Sequence, residues 1–388
     1  MAKTLYLHIG THKTGTKTIQ GFMYSSNELL GEYGIAYPQI PYKYPRKSIT
    51  RNACFVSWHI IDENGERDEA QEQLRFQDCM ERVHELFKEK DTVVLSDEAL
   101  FNRMYEASGI LEKIKKDSEE NGYTLKLIIY LRRQDQFIES LWNQSIKEKF
   151  IVVNTSIESY ISRKSRYLEY DKIIDYFAGV VGDENIIVRR FADAAKSGLL
   201  QDFLQVVGMN PDGIAEEAPS RNAGLYGNTV RIKQLINEVE GLTYAEQKFF
   251  KESLLLCSAM SKQNYPCSEF SEESRREFMS QYEEGNAAIA KRFLNDGKPL
   301  FSEDYSGPPK REDINPELIS DVVRTTAAAD LMLLRENKAL NEKVRLQGKQ
   351  LASQGEKIAS LEKKLASLER RVEHLRHPLR TVAAKIKR

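Results

Sequence analysis

Four cysteines in 388 residues are few, and Cys54, Cys79, Cys257 and Cys267 form no CxxC pair and no Cys/His spacing of a metal site. A disulfide scaffold and a zinc domain are thereby excluded, no bound metal is expected, and free thiols in a reducing compartment are. No apolar run is long enough to span a bilayer, and no signal-peptide pattern precedes the first apolar stretch, so the expected location is cytoplasmic. Net charge is nearly absent too, at −1. That balance conceals an asymmetry. Residues 331–388 hold 15 of the 57 Lys and Arg but 6 of the 58 Asp and Glu, so this stretch carries +9 and the remainder −10. The body is therefore not a general polyanion binder. The basic stretch lacks interleaved aromatics, which argues against nucleic acid as a partner.

What is present begins at the N-terminus. Thr4-Leu5-Tyr6-Leu7-His8-Ile9 is a short apolar run that ends at Gly10, and Ile19, Phe22 and Met23 recur at helical spacing beyond it. Between them lies Thr11-His12-Lys13-Thr14-Gly15-Thr16-Lys17-Thr18, a small-residue turn rich in hydroxyls with a lysine in its middle. Strand, turn and helix in this order place the turn at a helix N-terminus, where backbone N–H groups have no intrahelical partner and the helix dipole is positive. Gly15 allows close approach of an anion, Lys13 adds a full charge, and the threonines add donors, so the turn predicts a phosphate cradle. Gly10 and Gly15 have Walker A spacing, but Thr16 stands where the lysine belongs and Lys17 comes one place late.

Three further apolar runs read as buried strands: 92–96, which ends in Asp97-Glu98; 125–131, which runs into Arg132-Arg133; and 185–191. Helices are expected over 68–90, with Leu74, Cys79, Val83 and Phe87 as the buried stripe, from about 136 to 149, and over about 168–180. Alternating strands and helices predict an α/β fold with a central parallel sheet flanked by helices. Ligands in such sheets bind at the carboxyl ends of strands, where the cradle, Glu98 and Arg132 all lie. Residues 31–68 look irregular, and the Pro/Tyr/cation stretch 37–47 within them is a candidate contact for a polyol or sugar.

The register Lys13-x-Gly15-Thr16 resembles the phosphosulfate loop of the sulfotransferase family, with Lys17 in place of its second threonine. Arg132 at a strand end, with Ser140 eight residues on inside the following helix, resembles the family's 3′-phosphate motif, although Arg132-Arg133-Gln134 stands where that motif often reads Arg-Asn-Pro. The likeness extends loosely over 1–305. It implies a P-loop-like fold and 3′-phosphoadenosine 5′-phosphosulfate (PAPS) as the sulfuryl donor. His12, Lys13, Thr14, Gly15, Thr16, Lys17 and Thr18 would hold its 5′ end, and Arg132 and Ser140 its 3′ end. Arg221, in a later polar loop, is a further candidate. Lys13 would also face the charge developing on the leaving phosphate. Family members take the acceptor proton with a glutamate or a histidine, for which Glu98 is the first candidate here and His59 the second. The acceptor implied is a hydroxyl of a carbohydrate or glycolipid.

Residues 306–329 read as a linker, and 330–388 as a coiled coil with a basic tail. Position a of its heptads holds Val344, Leu351, Ile358, Leu365, Val372 and Leu379, and position d holds Leu340, Leu361, Leu368, Leu375 and Val382, with Gln347 and Gln354 interrupting. A homo-oligomer is expected, most simply a parallel dimer. The tail beyond Pro378 combines Arg380, Lys385, Lys387 and Arg388 with apolar residues, a composition that suits peripheral contact with an anionic membrane face. Two other readings are a P-loop kinase, with 93–97 as a magnesium-binding strand end, and a coiled-coil scaffold with an inactive head.

Overall fold

The computed structural model describes residues 2–45, 47–106, 109–148, 156–214, 224–225, 227–260, 267–311 and 317–376. Its centre is a five-stranded parallel sheet. Strand β1 (Thr4–His8) leads into helix α1 (Thr16–Ser25), and a two-residue strand β2 (Ile35–Ala36) follows. Helix α2 (Glu69–Leu86) precedes β3 (Thr92–Ser96), and α3 (Ile110–Glu120) precedes β4 (Thr124–Leu131). Helices α4 (Gln134–Glu148) and α5 (Tyr170–Val181) lead to β5 (Ile186–Arg190) and α6 (Leu199–Val206). The spatial order is β2-β3-β1-β4-β5. The chain moves outward from β1 to β2, returns as β3, then crosses to the other side for β4 and β5. The order thus reverses at β1, the place where open α/β sheets bind ligands.

Side chains alternate across the sheet. Leu5, Leu7, Ile9, Leu127, Ile129 and Leu131 face a large core that includes Val83, Ile114, Ile173 and Phe177. Val94, Ile128 and Tyr130 face a smaller core with Ile19, Met23, Phe203 and Leu204. Both faces of the sheet are thus covered, as all-parallel pairing requires, and the strands accordingly read as nearly continuous apolar runs.

Several expectations need correction. The stretch 31–68 contains the edge strand β2, too short to show a period. On α2 the buried stripe is Phe76, Cys79, Met80 and Val83, continued by Phe87 at its C-cap, while Leu74 is exposed. The presumed linker is stitched to the body. Ser268 bridges Lys310, Arg311 donates to the Gly227 carbonyl and pairs with Glu269, and the last helix begins at Glu317 rather than near 330. Two helices of the body, α7 (Asn228–Glu238) and α8 (Tyr244–Met260), receive the first turns of that helix, α9 (Glu317–Arg376). Asn228 donates to Asp321 at 3.0 Å, and Ala328 is buried. Beyond this, α9 runs on through Gly348 and Gly355 without a break, and its 60 residues span about 90 Å. Arg221 and the tail from 377, with Pro378 and the last heptad positions, lie outside the described residues. Among the described residues no helix is long and apolar enough to cross a membrane.

Candidate functional site

The cradle is built by extending β1 along β4. Ile9 N–H donates to the Ile128 carbonyl at 3.1 Å, and Thr11 donates to the Tyr130 carbonyl from its N–H at 3.3 Å and from its hydroxyl at 3.0 Å. Thr14 Oγ1 closes back on the Thr11 carbonyl at 2.6 Å, and Thr18 N–H donates to the Gly15 carbonyl at 2.9 Å. Lys13 is held at φ 70°, a left-handed conformation that a lysine takes only where its surroundings impose it. Gly15 lies at φ 71°, and a Cβ there would stand 2.2 Å from Leu199 Cδ2, so the position accepts only glycine without rearrangement. Thr16 is buried, Thr18 half-buried and Lys17 exposed. The first turn of α1 carries no acidic residue, and its N-cap is Gly15, which has no side chain to occupy the N–H groups.

Four cations gather at this turn. Arg132 Nη1 donates to the Lys13 carbonyl at 3.2 Å, and its guanidinium carbon lies 5.8 Å from the Phe191 ring centre. Tyr170 Oη anchors the Arg132 carbonyl at 2.9 Å. Arg132 Nε is buried with no hydrogen-bond partner among the described residues, and burial lowers the guanidinium's pKa. An unpaired buried donor of this kind is costly unless something fills the site. Lys13 is pushed down to about 8, by burial first and then by Lys147, Arg132 and Lys17. Lys147, on α4, is itself lowered by burial, with Glu148 opposing and Lys251 and Lys17 adding to it. Like charges held this close repel one another, and an anion between them would relieve that repulsion.

An acidic wall stands opposite, at the exit of β3. Asp97 is fully buried and accepts from Ser57 Oγ at 2.9 Å, from Ala99 N–H at 2.8 Å and from Arg51. Glu98 is held by Gln20 Nε2 at 3.1 Å on one oxygen and by Arg51 Nη1 at 3.3 Å on the other. Gln20 also reaches Ser96 Oγ at 3.2 Å, which His8 Nδ1 bonds at 2.9 Å. His12 feels the charges of both the wall and the cations. Burial lowers its pKa, Glu98 and Asp97 oppose that, and Arg51 and Lys13 reinforce it. His8 is enclosed by Tyr130 and Phe203, and burial lowers its pKa to about 4.

A groove of about 360 Å³ adjoins the wall, lined by Tyr24, Ile40, Tyr42, Tyr44, Lys47 and Arg51 among others. Arg51 belongs to both groove and wall. Lys47 Nζ sits 3.2 Å over the Trp58 ring, and Arg75 lies 4.7 Å over Tyr42.

The structure therefore gathers Lys13, its flanking cradle residues, Arg132, His12 and Glu98 at one end of the sheet. Ser140 is half-buried in the second turn of α4, the helix that begins directly after Arg132-Arg133. His59 is engaged elsewhere. It is exposed, its Nδ1 bonds Glu72 at 2.9 Å, and Arg103 occupies Nε2, which leaves no free lone pair for taking a proton. Arg221 is not described. Sequence reasoning missed Gln20, Arg51 and Lys147. Gln20 follows Thr16 by one helical turn, a signal that was present in the sequence, whereas Arg51 and Lys147 reach the site only through tertiary folding. Among the described residues no group of three or more His, Cys, Asp or Glu is placed to hold a metal ion.

No family model matches the chain. It is 25% identical over 204 residues to an uncharacterised protein of Archaeoglobus fulgidus, an alignment covering 52% of this chain and 54% of the relative, so the chain spans about half the length of the relative it matches. A solved sulfotransferase from Alicyclobacillus acidocaldarius aligns over 76% of this chain and 98% of its own, with 14% identity and a TM-score of 0.40.

Proposed function

We propose that the chain is a sulfotransferase that moves a sulfuryl group from PAPS to a hydroxyl of a carbohydrate or glycolipid. The observation that carries this reading is the contact of Arg132 with the Lys13 carbonyl. It brings the strand-end guanidinium to the backbone of the mid-loop lysine, which supports one nucleotide, phosphorylated at both ends of its ribose, spanning the two. A 5′ anion would rest on the N–H groups that open α1 and on Lys13, and the 3′-phosphate on Arg132, with Ser140 on the helix beyond.

In the transfer, the acceptor oxygen bonds to sulfur as the bond from sulfur to the bridging oxygen breaks. The acceptor proton passes to a base, and adenosine 3′,5′-bisphosphate leaves. Charge spreads over the nonbridging oxygens and the departing phosphate, so fixed donors and positioning supply most of the rate. Lys13 and the loop N–H groups stabilise the leaving phosphate. Glu98, oriented by Gln20 and Arg51, takes the proton, and the groove rings of Tyr24, Tyr42 and Tyr44 suit the apolar face of a sugar. A magnesium-dependent kinase fits less well, because the strand-end Asp97 is fully buried and already accepts from three donors, Arg51, Ala99 and Ser57.

Two measurements test the reading. Calorimetric titration in EDTA should show binding of adenosine 3′,5′-bisphosphate; preference for magnesium-ATP instead defeats it. Incubation with sulfur-35-labelled PAPS and a panel of glycans should label at least one, and Glu98→Gln should abolish labelling while leaving bisphosphate affinity within about twofold. A variant with wild-type turnover removes Glu98 from the mechanism.

A further inference from the structure

Beyond the turns that dock on the body, α9 presents an apolar stripe to solvent. Leu340, Val344, Leu351, Ile358, Leu361 and Leu368 are between 52% and 67% exposed, far more than scattered surface leucines account for. They occupy positions a and d of one unbroken heptad register, which also takes in Leu333 and Leu375 at d. We infer that this stripe is covered by the same stripe of a second copy of the chain, as a parallel, in-register two-stranded coiled coil.

Three features of the sequence on that helix point to this occupant. Position a alternates β-branched Val344, Ile358 and Val372 with Leu351 and Leu365, whereas the apolar residues at position d from 340 on are all leucine, Leu340, Leu361, Leu368 and Leu375, a bias towards two parallel strands. Asn337 falls at position a, where a buried amide pair fixes register and strand number at some loss of stability. The flanking charges then choose the orientation. Position g holds Lys343, Lys357, Lys364 and Arg371, and position e holds Glu362 and Glu369. In a parallel pair each g residue faces the e residue five places on in the partner, so Lys357 meets Glu362 and Lys364 meets Glu369, on both sides by symmetry. Arg371 facing Arg376 is the one opposed pair. In an antiparallel pair g faces g and e faces e, so lysine meets lysine and glutamate meets glutamate. The charge pattern therefore complements a parallel copy of itself and repels an antiparallel one. Gln347-Gly348 and Gln354-Gly355 repeat at d and e in successive heptads, which leaves a looser middle between two tighter segments.

The full-length chain serves for the test. Sedimentation equilibrium at micromolar concentration should give twice 44.6 kDa, and Leu361→Lys with Leu368→Lys should return the monomer. A monomeric wild type, or a trimer or tetramer, overturns the inference. Leu361→Cys should cross-link to its own copy under mild oxidation, with wild type as the control for the native thiols. A dimer that fails to cross-link there is antiparallel or out of register, and overturns it as well. Lys357→Glu with Lys364→Glu should weaken self-association by at least about tenfold. Mixing that variant with Glu362→Lys plus Glu369→Lys should restore a heterodimer; failure of the mixture to pair counts against the parallel geometry.

Discussion

Lys13 combines a backbone conformation that suits glycine with a charge that suits an anion, and the two together make it the most informative residue of the chain. Its pKa of about 8, set by burial and by Lys147, Arg132 and Lys17, implies a pH limb in ligand binding. Affinity for adenosine 3′,5′-bisphosphate should fall about tenfold between about pH 7 and about pH 9.5, as the ammonium loses its proton, and Lys13→Arg should flatten that limb because guanidinium stays charged. Calorimetric titration across that range reads it; a flat wild-type profile would place Lys13 away from the anion. His8 makes the complementary case, a titratable residue with no ligand in view. Its folded pKa of about 4 lies below the ordinary 6.5, so the unfolded chain binds more protons between the two. Stability is then fully present above about pH 6.5 and declines as pH falls towards about 4, by about 3 kcal/mol in all. Urea unfolding of wild type and His8→Gln at several pH values isolates that slope from the carboxylates they share. Equal slopes would mean that the ring is not buried neutral.

At the scale of elements, the exit of β4 assigns two adjacent arginines to opposite tasks. Among the described residues Arg132 has no carboxylate partner, and it faces the cradle. Arg133 forks onto Asp135 at 2.8 and 3.1 Å, donates to the carbonyls of Ser302 at 3.0 Å and Asp304 at 2.6 Å, and lies over Tyr305, so it fastens the segment after 296 to the sheet. Arg132→Ala should leave the melting temperature nearly unchanged and weaken bisphosphate binding more than adenosine 5′-phosphate binding. Arg133→Ala strips a buried carboxylate of its main partner and should cost about 3 kcal/mol, with little effect on affinity in the protein that remains folded. Thermal melts paired with titrations separate them, and equal losses of affinity with both nucleotides for Arg132→Ala would remove its 3′-phosphate role. The same junction shows what a sequence discloses. Strand, cradle and strand-end cation were legible because each is written in a run of about ten neighbours: apolar period, turn residues, charge at the exit. Which arginine faces the cradle was legible only through the resemblance, because position in a motif carries it and local composition does not. Arg51, Lys147 and the stitching of 302–311 were illegible, since their partners lie far along the chain. Strand β2 escaped because two residues show no period.

The whole molecule divides along α9, though not where its heptads begin. Residues 317–332 belong to the body: Asp321 accepts from Asn228, Thr325 Oγ1 approaches Cys257 Sγ at 3.6 Å, Ser253 Oγ approaches Met332 Sδ at 3.3 Å, and Ala328 is buried. From Leu333 onward the helix exposes its apolar positions, and its 44 residues to Arg376 extend about 66 Å from the body. A chain ending after Met332 should therefore fold, bind adenosine 3′,5′-bisphosphate with unchanged affinity, and run as a monomer. A chain ending after Arg311 loses the helix that covers Leu254 and Cys257 and should melt below it, by about 1.5 °C for each kilocalorie of burial lost. Differential scanning calorimetry and sedimentation of the two truncations check this. Equal melting temperatures would return 317–332 to the stalk. Lost nucleotide binding in the longer truncation would mean that the head needs its dimer, and the stalk would then be part of the binding machinery and not only its mount.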